Sequence, residues 1–224
     1  MQNVTLKCER ARTIDLDPTK TALLCIDFQT DFVAEDGMNA SRGIDTGPLA
    51  AVLPSARRAL HAARRAGLAI FHTREAYRPD LSDLNAFRRQ YDIVGTPGPL
   101  GRFLIAGERG THIVAPMAPA EGEPVIDKAA FSAFHATTLD AMLRVRGIDT
   151  LLLAGFTAQC CVASTFRSAV DIGYRCVLLQ DATAAFDPDD HAATVRVIYS
   201  ENHNFGWVSD STCLERGLAN HERT

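Results

Sequence analysis

Little in the chain points to a membrane, a nucleic acid or an oxidising compartment. No apolar run among its 224 residues approaches the length of a membrane span, and the first twenty carry Lys7, Glu9, Arg10, Arg12, Asp15 and Asp17 where a leader would need an apolar core. A cytoplasmic protein is expected. Basic residues are not in excess: the net charge is -4, with 23 Lys and Arg against 27 Asp and Glu, so the positive field that nucleic acids and anionic lipid surfaces attract is missing. The expected partner is a small molecule. No CxxC pair occurs among the six cysteines, and Cys25 and Cys176 lie inside apolar runs. That pattern argues against a disulfide framework or a structural zinc, and all six are read as reduced. No Pro- or Gly-rich linker and no internal repeat divides the sequence, which reads as one domain over residues 1–224 with residues 1–20 a polar, irregular arm. No GxGxxG turn follows the first apolar run. Gly95, Gly98 and Gly101 have no buried strand leading into them, so no nucleotide cofactor is expected.

What is present is a repeated alternation of apolar runs and amphipathic stretches. Thr21 to Phe28 (TALLCIDF) is continuously apolar and closed by an acid, the pattern of a strand buried on both faces. Pro48 to Arg65 has helical spacing with arginines opposite its apolar residues, Gly67 sits at the capping position, and Leu68 to His72 reads as a second strand. Strand, helix and strand in that order imply parallel pairing through a right-handed crossover. Pro124–Lys128, Asp149–Gly155, Arg175–Asp181 and Asn204–Ser209 read as further strands, and Thr137–Arg146, Gln159–Gly173 and Pro188–Tyr199 as helices. The expected fold is α/β: an open, mostly parallel, Rossmann-like six-stranded sheet with helices on both faces. Residues 73–111 break the pattern, and a connection this long in a compact domain commonly lines or covers a site.

Ligands of such sheets bind at the carboxyl ends of the strands, where this chain places an acid, a base and a thiol. Asp27 closes the first strand, Lys128 closes the strand after the long connection, and Cys160 and Cys161 open a helix after the strand that ends at Gly155. A helix start leaves backbone N–H groups unpaired and carries partial positive charge, which favours a thiolate and supplies donors for an oxyanion.

Three motifs in this order resemble the isochorismatase-like cysteine hydrolases. Asp27-Phe28-Gln29-Thr30-Asp31-Phe32 is similar to their DxQxDF opening, Lys128 with Ser132-Ala133-Phe134 to their lysine and S-x-F segment, and Gly155 to Thr165 to their nucleophile turn. The match runs from about Thr21 to Ser211. The resemblance implies Cys161 as nucleophile, with Cys160 at a position usually apolar. It implies Asp27 as the group that takes and returns the thiol proton, Lys128 as the residue that favours the thiolate, and a thioester intermediate. It further implies a cis peptide at Phe156-Thr157, an oxyanion hole from the Thr157 and Cys161 N–H groups, and self-association as a homodimer or homotetramer.

Within the superfamily, His72-Thr73-Arg74-Glu75 with Arg78 to Leu84 and Gly98 to Arg102 looks most like the biuret hydrolase and ureide amidohydrolase branch. A metal-binding Asp and His cluster like that of the nicotinamidases has no counterpart between Phe28 and His72, so no catalytic metal and no cofactor are expected, and His72 is read as an orienting or packing group. Phe131 stands where biuret-type enzymes carry a second lysine, and Glu201 stands near their glutamine. A pocket that loses a cation and gains a carboxylate favours a cationic or donor-rich substrate such as guanylurea. Phe32, Phe131 and Glu201 are therefore candidate substrate contacts, with Phe32 and Phe131 as walls. N-carbamoyl amino acid or ureidoacrylate hydrolysis and vinyl ether hydrolysis of the isochorismatase type are the alternative activities.

Overall fold

The computed structural model of the chain describes residues 3–91 and 93–221. Its centre is a six-stranded sheet in which every neighbouring pair is parallel, built from β3 (Thr21–Ile26), β4 (Ala69–Glu75), β7 (Val125–Lys128), β8 (Thr150–Phe156), β9 (Arg175–Ala184) and β10 (Trp207–Ser209). The spatial order is β10-β9-β8-β3-β4-β7. All six residues of β3 are buried, and they alternate between two cores: Leu23 and Cys25 pack on one face, Ala22, Leu24 and Ile26 on the other. That is why β3 reads as an unbroken apolar run. The chain moves outward from β3 through β4 to β7, returns to lay β8 on the opposite side of β3, and proceeds to β9 and β10. The order therefore reverses between β3 and β8, and a crevice opens beyond their carboxyl ends.

The helix Leu53–Arg65 turns Ala56, Ala59, Leu60, Ala62 and Ala63 toward the sheet and leaves its arginines outside. It is shorter than its sequence pattern, because the helical stretch divides at Val52 into Gly47–Ala51 and Leu53–Arg65. Pro54 has no N–H to donate back into the preceding turn, so a continuous helix through it is disfavoured. Gly67, at φ 69°, ends the helix in the left-handed region. Opposite the sheet, Phe166 and Ala169 of the helix Ala163–Asp171 and Leu139 and Leu143 of the helix Leu139–Val145 fill the second core.

The described part of the N-terminal arm, residues 3–20, is ordered rather than irregular. β1 (Val4–Lys7) and β2 (Thr13–Leu16) form an antiparallel hairpin whose alternate residues Val4, Leu6, Ile14 and Leu16 are buried. Its turn takes Arg10 and Ala11 through positive φ, both at 56°, with no glycine or asparagine to announce it. The buried residues meet Leu214 and Leu218 of a C-terminal helix, Ser211–His221, which lies beyond the last strand read from sequence. The long connection is also structured: it contains the helix Ala86–Tyr91 and a small hairpin of β5 (Pro97–Gly98) and β6 (Gly101–Arg102).

Candidate active site

Gly155 allows the two strands that flank the crevice to approach. It sits at φ 139°, and a Cβ there would run into Ile26 O on β3. The close approach brings the residues that follow β3 and β8 together. Asp27, the first residue after β3, is fully buried and takes φ 54°, a left-handed conformation that aspartate tolerates better than most residues. After β8 the peptide Phe156-Thr157 is cis, and a π-helical turn Ala158–Val162 leads into the helix Ala163–Asp171. The expected thiol-bearing helix start is present, with its first turn wound more widely than an α-helix.

The acid, the base and one of the two thiols converge. Lys128 Nζ lies 2.7 Å from Asp27 Oδ2 and donates to Cys161 Sγ at 3.3 Å and to Ala130 O at 2.9 Å. The side chains of Lys128 and Asp27 are both 0% exposed, so their charges interact with little screening. Thr73 Oγ1 donates to the other Asp27 oxygen at 2.7 Å and fixes the carboxylate plane. Burial alone would lower the Lys128 pKa, but the Asp27 and Glu75 carboxylates and the hydrogen bond to Asp27 act against it, and the ammonium stays protonated. The Cys161 thiol is displaced upward: the hydrogen bond with Cys160 and complete burial raise its pKa, as do the Asp27 and Glu75 charges, and Lys128 offsets them only in part. The resting nucleophile is a thiol. The thiolate suggested by its place at a helix start is not favoured, chiefly because of the contact with Cys160 and of burial, with the Asp27 and Glu75 carboxylates adding to them.

Cys160 and Val162 donate their N–H groups to Thr157 O, whereas among the described residues, outside regular helix and strand pairing, neither Thr157 nor Cys161 N–H goes to a carbonyl. Cys160 is the half-buried member of the pair, packed against the core on the helix side of the sheet.

Glu75 is a member of the cluster that sequence reasoning passed over. It ends β4, is buried, and places Oε2 3.6 Å from Cys161 Sγ, where it can accept the thiol hydrogen. The Gln29 carboxamide grips its backbone, donating to Glu75 O at 3.0 Å and accepting from Glu75 N at 2.7 Å. Arg88, delivered by the helix Ala86–Tyr91, donates to Glu75 Oε1 at 2.7 Å, and Tyr77 OH donates to the same oxygen at 3.2 Å. The signal was an acid at a strand end, paired in register with Lys128, but its partner lies 13 residues away in a stretch without strong periodicity. Asp27, Glu75 and Cys161 together resemble a metal-binding donor set. The ammonium of Lys128 already stands against two of the three, at 2.7 Å from Asp27 and 3.3 Å from Cys161 Sγ, and offsets the Asp27 charge as a cation would.

The other predicted contacts fall differently. The Arg88 guanidinium lies 4.4 Å over the Phe131 ring, so the position without a lysine still has a cation above it, supplied from the long connection. That guanidinium is at the same time paired with Glu75 at 2.7 Å. Phe32 is buried edge-on to Phe103 with ring centres 6.2 Å apart, a core contact. Glu201 is exposed in the short helix Ser200–His203 and, among the described residues, makes no hydrogen bond or ion pair to the cluster around Cys161. The carboxylate that faces the thiol is Glu75. His72 is buried on β4 with Nε2 2.9 Å from Glu123, in a network closed by Arg64, three residues before the site.

The chain is similar to known proteins in sequence and in shape. A family model described as Isochorismatase domain matches residues 21–213. The chain is 30% identical over 215 residues to the ureidoacrylate amidohydrolase RutB of Yersinia enterocolitica, covering 90% of each protein. Among solved structures it is similar to a cysteine hydrolase from Pseudomonas syringae pv. phaseolicola, with a TM-score of 0.80, 25% identity and 98% of both chains covered. It also resembles an N-carbamoylsarcosine amidase from Thermoplasma acidophilum, with a TM-score of 0.66, 27% identity, and 86% of this chain and 96% of that one covered.

Proposed function

The chain belongs to the isochorismatase-domain family of hydrolases, and from that premise we propose that it is a cysteine amidohydrolase of small ureides, with Cys161 as nucleophile, Asp27 as proton carrier and Lys128 as the cation that orders both. The observation that carries the reading is the buried contact of Lys128 Nζ with Asp27 at 2.7 Å and with Cys161 at 3.3 Å, at the point where the sheet order reverses.

Lys128 Nζ bridges Cys161 Sγ at 3.3 Å and Asp27 at 2.7 Å, which joins the thiol to its proton acceptor. The proton leaves Sγ for Asp27 as sulfur attacks the carbonyl carbon. The tetrahedral oxyanion is stabilised by the Thr157 and Cys161 N–H groups, each contributing on the order of 3 kcal/mol in the transition state. Asp27 returns the proton to the leaving nitrogen and ammonia departs. Water, deprotonated by Asp27, then cleaves the thioester and restores the thiol. Lys128 stays charged throughout and offsets the negative charge shared by sulfur and carboxylate.

The substrate class rests on the relatives and on the site's own donors and acceptors. Ureidoacrylate-like and other terminal ureides are favoured, since the RutB relative acts on ureidoacrylate by name and the site presents two carboxylates beside the thiol. Biuret and guanylurea stay in the class on motif resemblance alone, since Glu201 is exposed. The test is ammonia release by wild type and Cys161→Ala from ureidoacrylate, biuret, guanylurea, an N-carbamoyl amino acid and nicotinamide. Release from a ureide that disappears in the variant is expected. Equal release by both proteins, or release from none of the ureides, would overturn the assignment.

A further inference from the structure

Glu75 is positioned with more care than a packing residue needs. Its backbone is clamped on both sides by the Gln29 carboxamide, and its side chain is 5% exposed. Its two carboxylate oxygens have separate surroundings. Oε1 accepts from Arg88 Nη2 and Tyr77 OH, whereas Oε2 points at Cys161 Sγ, 3.6 Å away. In the resting site the thiol hydrogen is the donor that faces Oε2. That donor goes to Asp27 when sulfur attacks, and a buried carboxylate oxygen left without one is costly. Something that arrives with the substrate has to replace it.

We propose that Glu75 Oε2 accepts a hydrogen bond from the carbamoyl N–H2 of the substrate, so that the site selects acyl groups bearing a free amide nitrogen and rejects isosteres in which oxygen stands at that position. The inference rests on the amidohydrolase reading and adds a residue that reads the scissile group itself. The carbon under attack must come within contact distance of Sγ, so its substituents lie within hydrogen-bond range of an oxygen already 3.6 Å from that sulfur. The carbonyl oxygen turns to the Thr157 and Cys161 N–H groups, which leaves the nitrogen for Glu75. An ester or carbamate oxygen in its place sets lone pairs against Oε2, and sites built to bond a substrate N–H discriminate strongly against analogues without it. Arg88 and Tyr77, both donors to Oε1, keep the carboxylate from turning over.

The same two donors make Glu75→Gln a directed test. They hold the carboxamide oxygen of the variant, so its NH2 faces the site and an acceptor becomes a donor without loss of the Arg88 contact. Two measurements are made on wild type, Glu75→Gln and Glu75→Asp, each with circular dichroism to confirm folding. The first compares kcat/KM for a ureide with that for the carbamate methyl ester of the same skeleton. The ureide-to-carbamate ratio is expected to fall by roughly a hundredfold in Glu75→Gln. The second needs no turnover: Cys161 is alkylated with iodoacetamide and with methyl iodoacetate, and the ratio of rates, referenced to free glutathione, is expected to fall by about tenfold in both variants.

A shifted alkylation ratio with no ureide hydrolysed by the wild type would keep the carbamoyl preference and remove the proposed activity. Hydrolysis of a ureide by wild type, with both ratios unmoved in folded variants, would overturn the role of Glu75 and leave the activity standing. An equal loss on ureide and carbamate would make Glu75 structural only.

Discussion

Removing the Lys128 ammonium while keeping the side-chain volume, as in Lys128→Met, leaves the Asp27 carboxylate in a site that is 0% exposed with Thr73 Oγ1 as its remaining side-chain donor. At a separation of 2.7 Å the pair attracts by about 6 kcal/mol if the effective dielectric is about 20. Part of that offsets the desolvation of two buried ions, so the pair as a whole stabilises far less. Taking away one partner gives up the attraction while the desolvation of the other stays, and such changes destabilise by about 3–5 kcal/mol. For a domain of this size that corresponds to a fall in Tm of roughly 6–20 °C. The informative variant is Asp27→Asn with Lys128→Met. Once both charges are gone most of the loss should return, giving a coupling of at least about 2 kcal/mol between the two changes. Urea denaturation of wild type, both single variants and the double variant supplies the four free energies. A Lys128→Met protein within about 1 kcal/mol of wild type, or a double variant that loses the sum of the single losses, would refute the buried ion pair as described.

Three further outcomes follow from the same structure. The contact with Cys160 and burial raise the Cys161 pKa above the ordinary 9.0, so iodoacetamide labelling of the free enzyme should still be accelerating above pH 9, and a plateau near neutrality would contradict that environment of the thiol. Gly155→Ala should cost about 3 kcal/mol or more in chemical denaturation, because the new Cβ meets Ile26 O and alanine is strained at φ 139°; a variant of wild-type stability would show that β3 and β8 do not approach so closely. Glu123 is held down to about 2, since its bonds with Arg64, the Ala120 N–H and His72 outweigh burial, and burial lowers the His72 pKa below 6.5. Both folded values lie below the unfolded ones, so the stability these groups contribute is present above the unfolded values. It is lost from His72 as pH falls below about 6.5 and from Glu123 as pH falls from 4.5 toward about 2. The stability difference between wild type and Glu123→Gln should shrink over that lower window, and a difference constant down to pH 2 would contradict the network.

Much of this was legible in the residues because burial on both faces writes itself into composition. TALLCI and TLLLAGF are apolar without alternation because β3 and β8 have cores above and below, and that fixed the strands whose ends hold Asp27 and Cys161. What was hidden depends on contacts distant in sequence. Val4–Lys7 and Thr13–Leu16 are four residues each, too short for alternation to stand out, and their turn uses Arg10 and Ala11 in place of glycine. The C-terminal helix is held against that hairpin, so neither element is evident without the other. Glu75 and Arg88 were unreadable for a similar reason. An acid at a strand end and an arginine in a polar loop are each commonplace, and their meaning appears when the loop folds back to place one on the other at 2.7 Å. Glu201 misled in the opposite direction: its place in the sequence suggested a pocket carboxylate, but the turn at 200–203 takes Glu201, Asn202 and His203 through positive φ and leaves Glu201 exposed.

The most direct test of the central claim is intact-mass spectrometry of the enzyme quenched with acid within the first turnover of a ureide that it hydrolyses. A thioester on Cys161 predicts protein carrying the mass of the substrate less one ammonia, mapped to the peptide containing Cys161, lost on treatment with hydroxylamine and absent from Cys161→Ala. Turnover by wild type with no adduct at any quench time, together with ammonia release that survives in Cys161→Ala, would contradict a covalent mechanism at this cysteine.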